Sequence, residues 1–431
     1  MNLSSPLGLD GPLTDLRPTS PIQRGSLAIA PGSASRGLLN WVYQFNGRVD
    51  VVALSAAIDQ VVDRHEVLRT RFVGEGDDLQ QASVPFRPGI LQVRDGEGAD
   101  RGERLERARA DAEATYTRLD AVRDTELRAS LTILEPKRSL LALFLGEALV
   151  DGQSAVFVAR EIAATYCERT GQEVPRAMGG SDKSFLDYVT DNPVPQDVID
   201  RAMAHWRSLA HLRGPVGSWP MEPSESSIGH TFRLTKDEWK SVLRAARRLK
   251  VTPYVLVLTM YQMAIARVTG ADGYIINGTI HDRSDPETIG MIGCFDSFIV
   301  MRGGVPADAP LESLLDDVSQ RVQDTVDVAA VPASLSAPDD EGRLPYVASA
   351  PSVEFAMFET RDGLDVPGVR QRRFRLGYGH PALRLTSCPV FGTERNFFFS
   401  SATAGPEELA HLSDVFYEIL MATSNPEAPP A

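Results

Sequence analysis

Cysteine is scarce in this chain: Cys167, Cys294 and Cys388 are the only three in 431 residues, far apart and odd in number. Such a count excludes a disulfide framework, and without a CxxC or Cys/His ligand spacing it offers no structural zinc site. Free thiols fit a reducing compartment, so a cytoplasmic location is expected. Positive charge is also short, with 44 Lys and Arg against 58 Asp and Glu, a net charge of −14. Nucleic acid and anionic membrane both demand a basic footprint, and neither is expected as the main partner. Long apolar runs are missing too. Residues 140–145 and 254–266 are too short or too mixed to span a bilayer, and residues 1–10 lack a basic stretch followed by an apolar one. Gly278 and the Gly290–Gly293 segment do not follow phosphate-loop or dinucleotide spacing, and there is no GxSxG nucleophile elbow. No metal and no cofactor of its own is expected.

What remains is an ordinary globular composition, 43% hydrophobic and 24% charged, in a chain long enough for two or three core-sized units. Residues 1–25, rich in Pro, Ser, Thr and Gly, read as an irregular lead-in. Asp50 is placed to cap a helix with Leu54, Ile58, Val61 and Val62 on one stripe, running to about His65. Leu68–Phe72 then turns extended. Residues 94–124 are highly charged, with Leu105, Ala108, Ala112 and Tyr116 at helical spacing, as on a surface helix. Residues 127–134 alternate, as a strand does, and 140–145 is the continuous run of a strand buried on both faces. A helix follows Gly152, with Ala155, Val158, Ile162 and Tyr166 on one side, and stops before Gly171. The Pro- and Gly-rich stretch 171–195 is the expected boundary.

Beyond it, Thr235-Lys-Asp-Glu238 is a capping box opening a helix to about Lys250. Thr252-Pro253 caps another, ending at Gly270. Strands are expected at 274–280, 295–301 and 396–401, a closing helix at 406–422, and proline-rich loops at 304–312 and 332–352. The fold class read from this pattern is mixed α/β (α+β) in two lobes.

Five segments, in order, carry a resemblance. Thr19-Ser-Pro-Ile-Gln-Arg24 resembles the opening motif of the condensation domains of nonribosomal peptide synthetases. Arg64-His-Glu-Val-Leu-Arg-Thr-Arg-Phe72 is almost unchanged from their second motif. Phe185-Leu-Asp-Tyr188 with His205-Trp-Arg207 is similar to the family's mid-chain segment. Gly278-Thr279, Arg283, Pro286-Glu287 and Ile292-Gly-Cys-Phe295 resemble its late motifs. The resemblance spans roughly residues 15–425. It implies a two-lobed chloramphenicol-acetyltransferase-like fold with a V-shaped cleft and a central tunnel. The N-terminal lobe would be 1–180, carrying the motif loop, and the C-terminal lobe 181–431.

At the family's His-His-x-x-x-Asp-Gly signature this chain reads Gly146-Glu147-Ala148-Leu149-Val150-Asp151-Gly152. Both histidines are gone; Asp151 and Gly152 remain. The resemblance implies an ion pair from Asp151 to Arg283 across the two lobes, with Gly152 easing a tight turn into the helix. Glu147 replaces the second histidine. A partly buried glutamate with a raised pKa serves as a general base, or holds a cationic amine by charge; the bland alternative is a solvated loop residue in a decayed motif. His281 shares a strand face with Arg283, and so could point to the same tunnel and pair with Glu147 as a rebuilt base. Cys294 has no basic neighbour in sequence and is read as core packing. His65 is read as support behind the first helix.

The expected function is that of a free-standing, monomeric condensation-type acyltransferase in natural-product biosynthesis, including that of antibiotics. It would join an acyl group, held as a thioester on a carrier protein's phosphopantetheine arm, to a small-molecule amine or alcohol, or would cyclise or dehydrate a tethered intermediate. Glu147 and His281 are the candidate catalytic residues, Asp151 and Arg283 the structural pair, and Gly146 and Gly152 the motif glycines. The rival is an inactive condensation-like docking domain that recruits other enzymes to a carrier-bound intermediate. An epimerase-like relative is disfavoured, because that branch also relies on the missing histidine.

Overall fold

The computed structural model describes residues 13–29, 37–120, 126–174, 183–212, 214–222, 228–306, 309–346, 352–358, 364, 366, 369–374, 383–389 and 394–425. Contacts sort the chain into two units. The first comprises residues 1–194, 281–296 and 362–378, and the second residues 195–280, 297–361 and 379–431. The division is not a single cut near residue 180, because two later segments return to the first unit.

The first unit opens with the short strand β1 (Arg17–Pro18) and the helix α1 (Pro21–Ala28). Its sheet is built around β2 (Leu38–Asn46), which runs antiparallel to β7 (Arg138–Gly146) from Leu38↔Gly146 to Asn46↔Arg138. Between them in sequence come α2 (Val51–Arg64), β3 (Thr70–Val73), β4 (Gln80–Ser83), β5 (Leu91–Asp95), α3 (Arg101–Tyr116) and β6 (Arg128–Glu135). The five-stranded order is Arg370–Phe374, β2, β7, β6, β5, while β1, β4 and β3 form a small separate sheet. After β7 come α4 (Gly152–Thr170) and α5 (Phe185–Asp191).

Strand alternation explains the apolar run in β7. Trp41, Tyr43, Phe45, Leu141, Leu143 and Leu145 pack on one face with Leu54, Ile58 and Val62 of α2 and Val158 and Ile162 of α4. Leu38, Val42, Leu140, Ala142 and Phe144 turn to the other face, under Ala108, Ala112 and Tyr116 of α3. With helices on both faces, both parities of the strand must be apolar. Asp50 caps α2 by accepting from the Ala53 N–H. His65 closes it, with Nε2 at 2.7 Å from Glu161 of α4, and Arg64 reaches the same carboxylate at 2.6 Å.

The second unit contains α6 (Gln196–Leu209), β8 (Ile228–Leu234), α7 (Lys236–Arg248), α8 (Pro253–Thr269), β9 (Tyr274–His281), β10 (Asp296–Gly303), α9 (Leu311–Val326) and β11 (Val353–Met357). Strand Arg370–Phe374 is β12; β13 (Leu383–Pro389), β14 (Arg395–Ser401) and α10 (Pro406–Ser424) complete the chain. The six-stranded order is β10-β9-β11-β13-β14-β8, with β11 parallel to both β9 and β13. Its core is aromatic. Phe397 and Phe399 of β14 lie 5.6 and 5.5 Å from Phe416 of α10, and Phe232 of β8 stacks on Phe397 at 5.1 Å. The end residues His281 of β9 and Asp296 of β10 group with the first unit.

Several expectations need correction. The lead-in is not irregular throughout: Ser20 and Gln23 form a capping box with Pro21 at the first helical position, so α1 begins inside it. Residues 94–124 are not one helix, since β5 ends at Asp95 and α3 covers only Arg101–Tyr116. Helix α9 begins inside the proline-rich stretch 304–312, at Leu311, and β11 begins just past 332–352. Residues 1–12, 121–124, 175–182 and 347–351, and the Cys388 side chain, lie outside the described residues. Among those described, no single helix is long and apolar enough to cross a membrane.

The aromatic core of the second unit gives a direct stability test. Phe416 is fully buried, so Phe416→Ala is expected to cost about 3–5 kcal/mol in urea unfolding. Val52 of α2 is 80% exposed, and Val52→Ala should stay within about 0.5 kcal/mol of the parent.

Candidate active site at the Gly146–Gly152 loop

The sheet delivers this loop. Where β7 ends, the Glu147 N–H donates to the Gly37 carbonyl at 2.7 Å, and the Leu149 and Val150 N–H groups turn back to the Gly146 carbonyl at 3.0 and 3.3 Å. Ala148, Leu149 and Val150 are buried, which anchors the middle of the loop and leaves Glu147 only half-buried. Helix α1 supplies the other anchor. The Gln23 amide donates to the Ala148 carbonyl at 3.1 Å and to Gln81 at 2.8 Å, and both glutamines are fully buried.

Asp151 ends the loop and caps α4, accepting from the Ser154 N–H at 2.5 Å. Its other oxygen accepts from Arg283 Nη2 at 2.8 Å and from the Phe295 N–H at 3.0 Å. The Arg283 and Asp151 side chains are 9% and 0% exposed. Arg283 also donates to the Ser154 hydroxyl at 2.7 Å and to the carbonyls of Thr288 and Met291 at 2.6 and 2.9 Å. Its guanidinium carbon lies 4.2 Å from the Phe295 ring centroid, where cation–π attraction adds to the charge contacts. Ser154 donates to the Gly293 carbonyl at 2.7 Å and accepts from the Gly293 N–H at 3.0 Å. Only glycine fits at Gly293, since an added Cβ would sit 2.1 Å from the Phe185 ring.

Two expectations change here. The Asp151–Arg283 pair does not join two lobes, because both residues belong to the first unit. Gly152 makes no left-handed turn: it is absent from the positive-φ glycines and is simply the first residue of α4. Its N–H donates to Asp296 Oδ2 at 3.4 Å.

The electrostatics follow from burial in a cluster of acids. Burial first, and then the Asp296 carboxylate, push the Asp151 carboxyl up to about 6, although Arg283 and the Ser154 donor pull it down. It therefore remains ionised at neutral pH. The Cys294 thiol, 3.8 Å from the Ser26 hydroxyl, is pushed well up by burial and by the nearby Asp151, Asp296 and Glu147 carboxylates. It is a packed thiol in the core of the first unit. The Tyr116 phenol is likewise raised, by burial and then by Glu147.

A third departure concerns His281, whose carboxylate partner is Asp296 rather than Glu147. Its Nδ1 lies 3.6 Å from Asp296 Oδ1, with 55% of the imidazole side chain exposed. The neighbouring Asp296 carboxylate raises the His281 pKa above its ordinary value, while burial and Arg283 oppose it. Asp296, Ser154 and Gln23 were missed in the sequence. Asp296 left a signal there, as a carboxylate just before the apolar run Phe298–Met301. Among the described residues no group of three or more His, Cys, Asp or Glu side chains is placed to hold a metal ion.

The family model described as Condensation domain matches residues 14–335. Chondramide synthase cmdD of Chondromyces crocatus is 25% identical over 331 residues, which cover 74% of this chain but only 8% of that relative. The chain thus spans less than a tenth of that protein's length. Among solved structures, the X-domain from teicoplanin biosynthesis superposes with a TM-score of 0.69 at 21% identity, covering 98% of this chain and 97% of that one. The condensation domain from Monacolin K polyketide synthase MokA gives 0.71 at 17% identity, covering 98% and 100%. These neighbours share the chloramphenicol-acetyltransferase-like fold.

The buried pair can be tested alone. Arg283→Met leaves the Asp151 carboxylate uncompensated and is expected to cost about 3–5 kcal/mol in chemical denaturation, part of which Asp151→Asn in the same chain should restore. A loss below about 0.5 kcal/mol would remove the pair from the account of stability.

Proposed function

The chain belongs to the condensation-domain family, and from that premise we propose that it transfers an acyl group from a carrier-protein thioester to an amine or alcohol acceptor in natural-product biosynthesis, antibiotic biosynthesis among it. The observation that carries this reading is the intact frame around an altered centre. Asp151, Arg283, Ser154 and Gly293 are linked by hydrogen bonds, and they close the loop in which the half-buried Glu147 stands where the family motif has its second histidine. A merely decayed loop has no need of such support.

In this reading Glu147 receives the acceptor. Its carboxylate attracts an ammonium or a hydroxyl and fixes the nucleophile against the thioester carbonyl. Orientation of two bound reactants is worth up to about 7–11 kcal/mol of barrier, so the chemistry survives loss of the motif histidines. The thioester and its phosphopantetheine arm belong to a carrier protein, and the chain contributes no cofactor. The site works in the cytoplasm, on a monomeric chain. Cyclisation or dehydration of a tethered intermediate would use the same positioning.

Recruitment is the second reading, favoured by the missing histidines in Gly146-Glu147 and by the fold shared with the teicoplanin X-domain, which is also solved in complex with OxyB. The two separate on one variant. In the organism that carries this chain, the gene is deleted and restored as wild type or as Glu147→Gln at matched protein levels. Acyl transfer predicts that Glu147→Gln leaves an unprocessed intermediate and lowers product at least about tenfold, the scale of one lost charge contact. Full product from Glu147→Gln would favour recruitment.

A further inference from the structure

Glu147 accounts for holding an acceptor, but a carboxylate engaged with an ammonium does not also take its proton. The structure contains a second titratable pair within reach of the same loop. Gly152, the last residue of the motif, donates its N–H to Asp296 Oδ2. Asp296 Oδ1 is buried and makes no hydrogen bond, and 3.6 Å from it stands His281 Nδ1. A buried carboxylate oxygen without a donor is costly, and the imidazole N–H is the group placed to satisfy it. With Nδ1–H turned to Asp296, the tautomer leaves Nε2 as the free acceptor on a half-exposed ring. Nε2 has no partner among the described residues.

We propose that His281, aligned by Asp296, is the proton acceptor of this site and takes the place of the histidine that Glu147 displaced. The inference rests on the acyl-transfer reading above. The acceptor attacks the thioester carbonyl carbon as an alcohol, or as a neutral amine whose ammonium proton has first been lost to solvent, and forms the new C–O or C–N bond. The proton it sheds passes to His281 Nε2. The C–S bond then breaks, and the leaving carrier thiolate takes that proton from the imidazolium, which restores the neutral ring. His281 is thus the catalytic residue. Asp296 is a positioning residue that fixes the tautomer and stabilises the imidazolium, as a carboxylate does behind a general-base histidine. The 3.6 Å separation in the unliganded chain is longer than a formed hydrogen bond, and it shortens when the ring becomes positive, since such contacts tighten in the reacting complex.

The charged groups that act most strongly on His281 are Asp296 at the start of β10, Asp151 at the cap of α4, and Arg283 in the segment after β9. The two carboxylates raise its pKa and the guanidinium lowers it. Activity therefore climbs as pH rises through the His281 pKa, and removing the Asp296 charge moves that climb to lower pH.

The test uses extracts of the deletion strain, which hold the native donor and acceptor, supplemented with purified full-length chain. Initial product formation is followed across about pH 6–9 for wild type, His281→Ala, Asp296→Asn and Glu147→Gln. His281→Ala is expected to lose about a hundredfold or more in rate, the general-base range, with an unchanged melting temperature because the ring is half exposed. Asp296→Asn should shift the rising limb to lower pH, and the His281 imidazole resonance, assigned by its loss in His281→Ala, should titrate lower in step. Two results would overturn the inference: a wild-type rate from His281→Ala, or an imidazole titration that Asp296→Asn leaves unmoved. If wild-type chain adds no product to the deletion extract, the acyl-transfer reading fails instead. If Glu147→Gln is impaired while His281→Ala is not, only the proton-acceptor assignment falls.

Discussion

One buried charge pair organises the candidate site. Asp151 and Arg283 are almost wholly removed from water, and neither is tolerable there alone, because an unpaired buried charge costs several kcal/mol. The rest of the local structure reads as a response to that constraint. Ser154 and the Phe295 N–H complete the carboxylate, the Thr288 and Met291 carbonyls accept from the guanidinium Nη1, and Phe295 covers its face. The segment 281–296 is thereby sewn to the first turn of α4, which explains why it groups with the first unit although its flanks run into strands of the second.

That frame has a functional consequence. A loop whose centre is packed, with Leu149 and Val150 fully buried, has little freedom to move the residue before it. Glu147 is held by its backbone N–H on Gly37 while its side chain stays half-buried. On the other side of the same cap, Gly152 reaches Asp296, and Asp296 in turn reaches His281. The Cys294 thiol is raised first by burial and then by the Asp151, Asp296 and Glu147 carboxylates. Glu147 begins the loop that ends at the Asp151 cap, and His281 is linked to the residue after that cap through Asp296.

Much of the fold was legible because it rests on local signals. The capping aspartate of α2, the capping box of α7, the Thr252-Pro253 start of α8 and its glycine stop after Thr269 all fall where sequence rules put them. The opening helix α1 carried the same kind of signal in Ser20, Pro21 and Gln23, and was obscured by the proline and glycine around it. Strand β2 was harder: Leu38–Asn46 has no clean alternation, since helices cover both of its faces. In the site, Asp151 and Arg283 were legible through the motif, whereas Ser154, Gln23 and Asp296 were not. Their roles depend on contacts across more than a hundred residues of chain, as from Ser154 to Gly293 and from Gln23 to Ala148. His281 was singled out on strand parity, but its partner was not, because parity fixes a face and not the residue opposite.

The central claim is that this chain consumes a carrier-bound thioester, and the acyl load of the carrier is its most direct readout. Carrier proteins in an extract of the deletion strain would be examined by mass spectrometry of their phosphopantetheine arms, before and after addition of the purified chain. The account predicts that one acyl-loaded species is converted to the free thiol while the free amide or ester product appears in equal amount. Unchanged loading of every carrier, with the chain folded and the extract competent for the other steps, would contradict it.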